Sequence, residues 1–228
     1  MKRNSLIASA LLTLLCFSGA ASATTYTDNF SGTQATLDWK ALDYACLTAG
    51  SGTGSIPKCS SPNDNPGYGA LRLTPAVNNQ TGAILSNFTF PLNQGLQVTF
   101  TTYTYGGNSG GTAGDGADGI TFFMTDGTKP VPSTAGALGG SLGYSCSNVN
   151  AKYEGLANAY LGLGIDEFGN FLNSGDNTNT GVLNTHYSGD TPLGSNSWYN
   201  SGQQYQPMRI GLRGAGNLTW ASLQSPNP

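Results

Sequence analysis

Two acidic residues stand at the ends of apolar runs. Asp118 leads into Ile120, Thr121, Phe122 and Phe123, and Asp166 closes an alternation of Leu161, Leu163 and Ile165. Four residues after Asp166, beyond Gly169, comes Asn170. A carboxylate at the lip of a strand, with an amide side chain and backbone carbonyls in the turn beyond it, is an oxygen-ligand arrangement suited to a hard cation such as calcium. The same pattern is met by an Asx-type turn, in which Asp166 and Asn170 do no more than satisfy nearby backbone amides. Both readings stand on the local pattern.

The elements that would hold these residues are strands. Apolar and polar residues alternate in Ala83–Phe90, Leu96–Tyr105, Ile120–Met124, Tyr160–Ile165 and Arg209–Leu212, and Gly, Pro or Asn bounds the runs. Short strands at such spacing predict an all-β sandwich or jelly roll. Gly106–Gly116 and Asn173–Gln206 are long polar loops. Residues 24–228 form one domain without an internal repeat.

Lys2 and Arg3 precede an apolar stretch from Leu6 to Phe17, and Ala21, Ser22 and Ala23 supply small residues at a cleavage position. This predicts a signal peptide over residues 1–23, with export to the periplasm, cell surface or medium. Leu15 before Cys16 argues against a lipoprotein cleavage site, and no further apolar run approaches the roughly 20 residues of a membrane span.

Loss of Lys2 and Arg3 with the signal takes the formal net charge from −3 to −5. An acidic chain with few cations argues against a nucleic-acid partner. Charged residues make up 9% of the sequence, against about 25% in an ordinary soluble domain, so the surface must bond through hydroxyls, amides and aromatic rings. Cys46 and Cys59 enclose a Gly-, Ser- and Pro-rich segment that a disulfide could hold. Cys146 is either a free thiol or a partner for one of them.

The segment from Gly116 to Phe123 resembles the loop and strand that carry the sugar-binding aspartate of the L-type (legume-type) lectins. Gly139 to Gly143 resembles their glycine loop, Gly164 to Asn170 their metal strand and loop, and Arg209 to Arg213 their closing strand. The four appear in the family's order over roughly Asp115 to Gly214. The wording is similar to lectin-like domains of bacterial type IV pilus-associated adhesins and agglutinin biogenesis proteins. The resemblance implies a concanavalin A-like jelly-roll sandwich, calcium as cofactor and a glycan or cell-surface carbohydrate as partner, with pilus or outer-membrane components as further partners.

Carried over residue by residue, it makes Asp118 the acceptor for two sugar hydroxyls, Gly140 a backbone N–H donor, and Asn170 both a sugar donor and a calcium ligand. Asp166, the Phe168 carbonyl and Asp176 would complete the calcium site. A charged acceptor beside amide donors suits a neutral polyol. The family's transition-metal ligands, a Glu two residues before the aspartate and a His opening the closing strand, are replaced by Gly164 and Arg209, which implies calcium without manganese. Glu167 would point to the strand face opposite Asp166. His186 has no acidic or Cys neighbour in sequence and reads as a surface residue.

Two other classes compete. A glucanase-like hydrolase on a similar sandwich needs two carboxylates about 5 to 10 Å apart across the scissile bond. The candidates are Glu154, Asp166 and Glu167, but the segment Gly164–Asn170 lacks two glutamates four apart around a central aspartate, and Asp166 and Glu167 are adjacent and would face opposite ways, so no enzyme is expected. The other is a structural or pilus-associated surface module whose site no longer binds. In the family a further series of strands follows the closing strand, whereas this sequence runs only to Pro228. The expectation is a sandwich incomplete at its C-terminal side, with Ile120, Phe122, Leu163 or Ile165 exposed and a long strand edge unpaired.

Overall fold

The computed structural model describes residues 24–61, 63–105, 117–146, 154–169, 171 and 208–214. The predicted signal segment, both long polar loops, Asn170, Asp176 and His186 lie outside the described residues. The chain is all-β. Strands run β1 Trp39–Asp43, β2 Cys46–Leu47, β3 Leu71–Arg72, β4 Gly82–Ser86, β5 Gly119–Thr125, β6 Ala159–Asp166 and β7 Arg209–Arg213. The helical pieces among the described residues are two 3₁₀ turns, Leu92–Gln94 and Gly139–Ser141, and none is long and apolar enough to cross a membrane.

The three sheets among the described residues are antiparallel. β1 pairs with β4 from Trp39 opposite Ser86 to Asp43 opposite Gly82. β2 pairs with β3 over Cys46–Arg72 and Leu47–Leu71. Next to that short ladder the Cys46–Cys59 disulfide closes the predicted loop, and Cys146 is a buried free thiol. A bond of this kind persists in oxidising compartments. The third sheet has the order β5-β6-β7. Its central strand places Ile165 between Ile120 and Ile210, and Leu163 between Phe122 and Leu212.

The alternation predicted for β6 is present, but its buried face is the one without large side chains. Gly162, Gly164 and Asp166 are buried, while Leu161, Leu163 and Ile165 are only half-buried. Two aromatic rings explain the inversion. A Cβ at Gly162 would sit 2.7 Å from the Tyr144 ring, and one at Gly164 would run into the ring of Phe171. The two glycines thus make a shallow bed on which both rings lie against the sheet. Tyr144 and Phe171 are fully buried with Leu42, Leu85, Leu156, Ala83, Ala135 and Ala159 in one cluster. Each large side chain so removed from water contributes about 1.5 to 3 kcal/mol. The Tyr144 hydroxyl, at the edge of the cluster, donates to the Gly214 carbonyl at 2.6 Å, so its polar end is satisfied.

The opposite face of the same sheet is apolar and, among the described residues, only partly covered. Ile120, Phe122, Leu163 and Ile165 are half-buried, and Ile210 and Leu212 are 71% and 62% exposed. β5 and β7 have no partner on their outer edges among the described residues. Leu96–Tyr105, predicted as a strand from its alternation, forms none: residues 96–105 make no ladder, and Leu96, Val98 and Phe100 are 40–46% exposed. The run Ala83–Phe90 is likewise paired only as far as Ser86. Alternation specifies two faces, but a strand also needs a neighbouring backbone to take its N–H and C=O groups.

Candidate functional site

The site is built where β5 starts and β6 ends. Gly119 stands opposite Asp166 in the ladder, with φ +141° and no room for a Cβ against the Ile165 carbonyl. Only glycine fits such an approach of two backbones. One residue earlier the Ala117–Asp118 peptide bond is cis. The Asp118 carbonyl accepts the N–H of Glu167 at 3.0 Å and of Phe168 at 3.1 Å. Asp118 is therefore tied to the loop after β6 by main-chain bonds that continue the ladder around the turn. Burial pushes the Asp118 carboxyl above its ordinary value of 3.8, because ionisation next to apolar groups loses hydration.

Asp166 is 2% exposed. Its Oδ1 accepts the Gly169 N–H and its Oδ2 the Phe171 N–H, both at 2.7 Å. These are the Asx-type bonds that the sequence offered as one alternative, here short and charge-assisted. They bring the Gly169 and Phe171 amides onto the carboxylate. Across the sheet, the Arg213 guanidinium donates to the Phe171 carbonyl and sits 5.5 Å from the centre of the Phe171 ring. Burial pulls Arg213 down to about 10, partly offset by Cys146 and Tyr144. The neighbouring Cys146 thiol is raised, chiefly by burial.

Gly140 belongs to a separate loop. It is buried in the turn Gly139–Ser141, inside a segment that closes on itself through Gly136 N–H to Gly143 O, Ala137 N–H to Ser145 O and Gly143 N–H to Ala137 O. Its link to the site runs through Tyr144, whose ring rests on Gly162 and meets Phe171 edge-on at 6.2 Å. The structure thus bonds the Asp118 carbonyl to Glu167 and Phe168, the residues that follow Asp166, and sets Gly140 in the adjoining loop. Asn170 and Asp176 are outside the described residues.

Sequence reasoning missed Arg213, Tyr144 and Phe171 as parts of this assembly. The available signal was the pair of glycines in LGLGID, which leaves the middle of one face of β6 without side chains of its own. Among the described residues no three His, Cys, Asp or Glu side chains converge. A cation bound here would rely on carbonyl and amide oxygens beside Asp166. Compared with known proteins, the chain matches no family model and no curated protein.

Proposed function

We propose that the chain is a calcium-dependent carbohydrate-binding module, an exported adhesin of the L-type lectin kind on a jelly-roll sandwich. The observation that carries this is the main-chain junction: the Asp118 carbonyl holds Glu167 and Phe168, so one carboxylate that can face a polyol and one loop of oxygen donors form a single unit. Asp118 would accept sugar hydroxyls, with Gly140 and Asn170 as amide donors. The oxygens present suit calcium, which takes carboxylate, amide and carbonyl ligands. A carboxylate has about four acceptor positions, so the two amide bonds of Asp166 are compatible with a cation. Asp166, the Phe168 carbonyl, Asn170 and Asp176 would hold it, and its charge would order the loop and polarise bound hydroxyls.

A second reading, a surface or pilus-associated module without binding activity, is favoured by one observation: both Asp166 oxygens already serve the loop's own amides. Glycan-array binding of the full chain with calcium and with chelator separates the two. Binding abolished by chelator and restored by calcium supports the lectin-like reading; no glycan bound in either condition overturns it.

A further inference from the structure

We infer that Arg213 is the positioning residue of the loop that carries Asp166 and Phe168, acting from β7 through Phe171. Three links make the chain. Gly164 leaves space on β6 for the Phe171 ring, which lies against the sheet there. Arg213, two positions along β7 from the residue facing Gly164, bonds the Phe171 carbonyl and sits over its ring. Phe171 in turn gives its N–H to Asp166 Oδ2, while Gly169 gives its N–H to Oδ1.

The guanidinium therefore fixes Phe171 from both its carbonyl and its ring. A residue fixed in that way holds the amide that orients the carboxylate. Arg213 is 8% exposed and depressed to about 10 by desolvation, a cost the fold offsets with donor bonds and an aromatic face. A planar fork with several fixed donors can do both at once, whereas a lysine ammonium is a compact point charge. A buried arginine at the end of β7 is thus a coupling between that strand and the acidic loop, and not only a strand-end cation.

The consequence for ligand binding rests on the carbohydrate reading; the positioning itself does not. Amide exchange of the full isotope-labelled chain tests it. In Arg213→Ala, the Gly169 and Phe171 amides should exchange at least tenfold faster while the β5–β6 ladder is unchanged. Added methylguanidinium should slow them again by filling the vacated position. Arg213→Lys should give an intermediate acceleration and serves if the alanine variant does not fold. Unaltered exchange at Gly169 and Phe171, or equal acceleration throughout β5, β6 and β7 without rescue, would overturn the inference. Calcium and glycan titrations on the same samples should weaken in step with the exchange. If the unaltered chain binds no glycan, the carbohydrate reading fails and the exchange result still decides the role of Arg213.

Discussion

The ring of Phe171 fills the space that a side chain on Gly164 would need. Position 164 therefore offers no side-chain ligand but makes room for the residue that anchors the Asp166 loop. A carboxylate introduced there would have to displace a fully buried ring.

Calcium is accordingly expected to bind without a companion transition metal. Calorimetry of the chelated chain should show calcium uptake weakened at least tenfold, about 1.4 kcal/mol, in Asp166→Asn, which loses charge but keeps shape. Stoichiometric manganese binding alongside calcium would contradict this.

Asp118 should reveal itself through pH. Its folded carboxyl titrates above 3.8 because of burial. Between the two values the folded chain keeps a proton that the unfolded chain has lost, so stability falls as pH rises through that window and stays lower above it. Asp118→Asn should raise the melting temperature at pH 7 and leave it unchanged at pH 3. The same substitution should abolish glycan binding, since a charged acceptor contributes about 1.5 to 3 kcal/mol per bond. In the unaltered chain, binding should fade on acidification at a pH above that of an ordinary carboxylate. A variant that still binds would remove Asp118 from the site.

Reduction should loosen one end of the molecule. Cys46 and Cys59 are 13 residues apart, a loop whose closure contributes about 3 kcal/mol. Leu47 bonds to the far side of that loop through Pro57 O and Cys59 N–H. Cys46→Ser with Cys59→Ser should lower the urea midpoint accordingly, and reductant should then have no further effect.

The core packed on one face of the third sheet and the residues of its other face should respond differently to truncation. Leu156→Ala, at a fully buried position, should cost about 2 to 5 kcal/mol. Leu212→Ala, at 62% exposure, should stay within about 0.5 kcal/mol. Ile210→Lys should lower binding of an apolar fluorescent dye without changing the melting temperature. A large stability loss at either exposed position would show that this face is covered in solution.

Strand type was legible wherever alternation coincided with a partner. β5, β6 and β7 begin and end within about two residues of their expected places, the usual uncertainty of element ends, and the Asp118 carbonyl bonds the residues that follow Asp166. The period of β6 was readable and its buried side was not: Leu161, Leu163 and Ile165 look like core, yet rings from distant segments bury Gly162 and Gly164. β1, with Trp39, Lys40 and Ala41 all half-buried, shows no two-sided pattern to find. Leu96–Tyr105 has the pattern without the pairing. Arg213 was placed on its strand, but its bond to Phe171 depends on a loop geometry that spacing does not encode.

The glycine bed of β6 also determines how this protein can vary. The chain has 33 glycines, and an inventory by composition would treat them alike. At Gly214 an added methyl group would meet nothing within 4 Å, so that codon is free to drift. Every single-nucleotide missense change of a glycine codon adds at least one heavy atom. At Gly162 and Gly164 each such change collides with a buried aromatic ring. A saturation library should therefore be depleted at these two codons as strongly as at Tyr144 and Phe171, and tolerated substitutions there should appear only together with a smaller residue at the ring they displace.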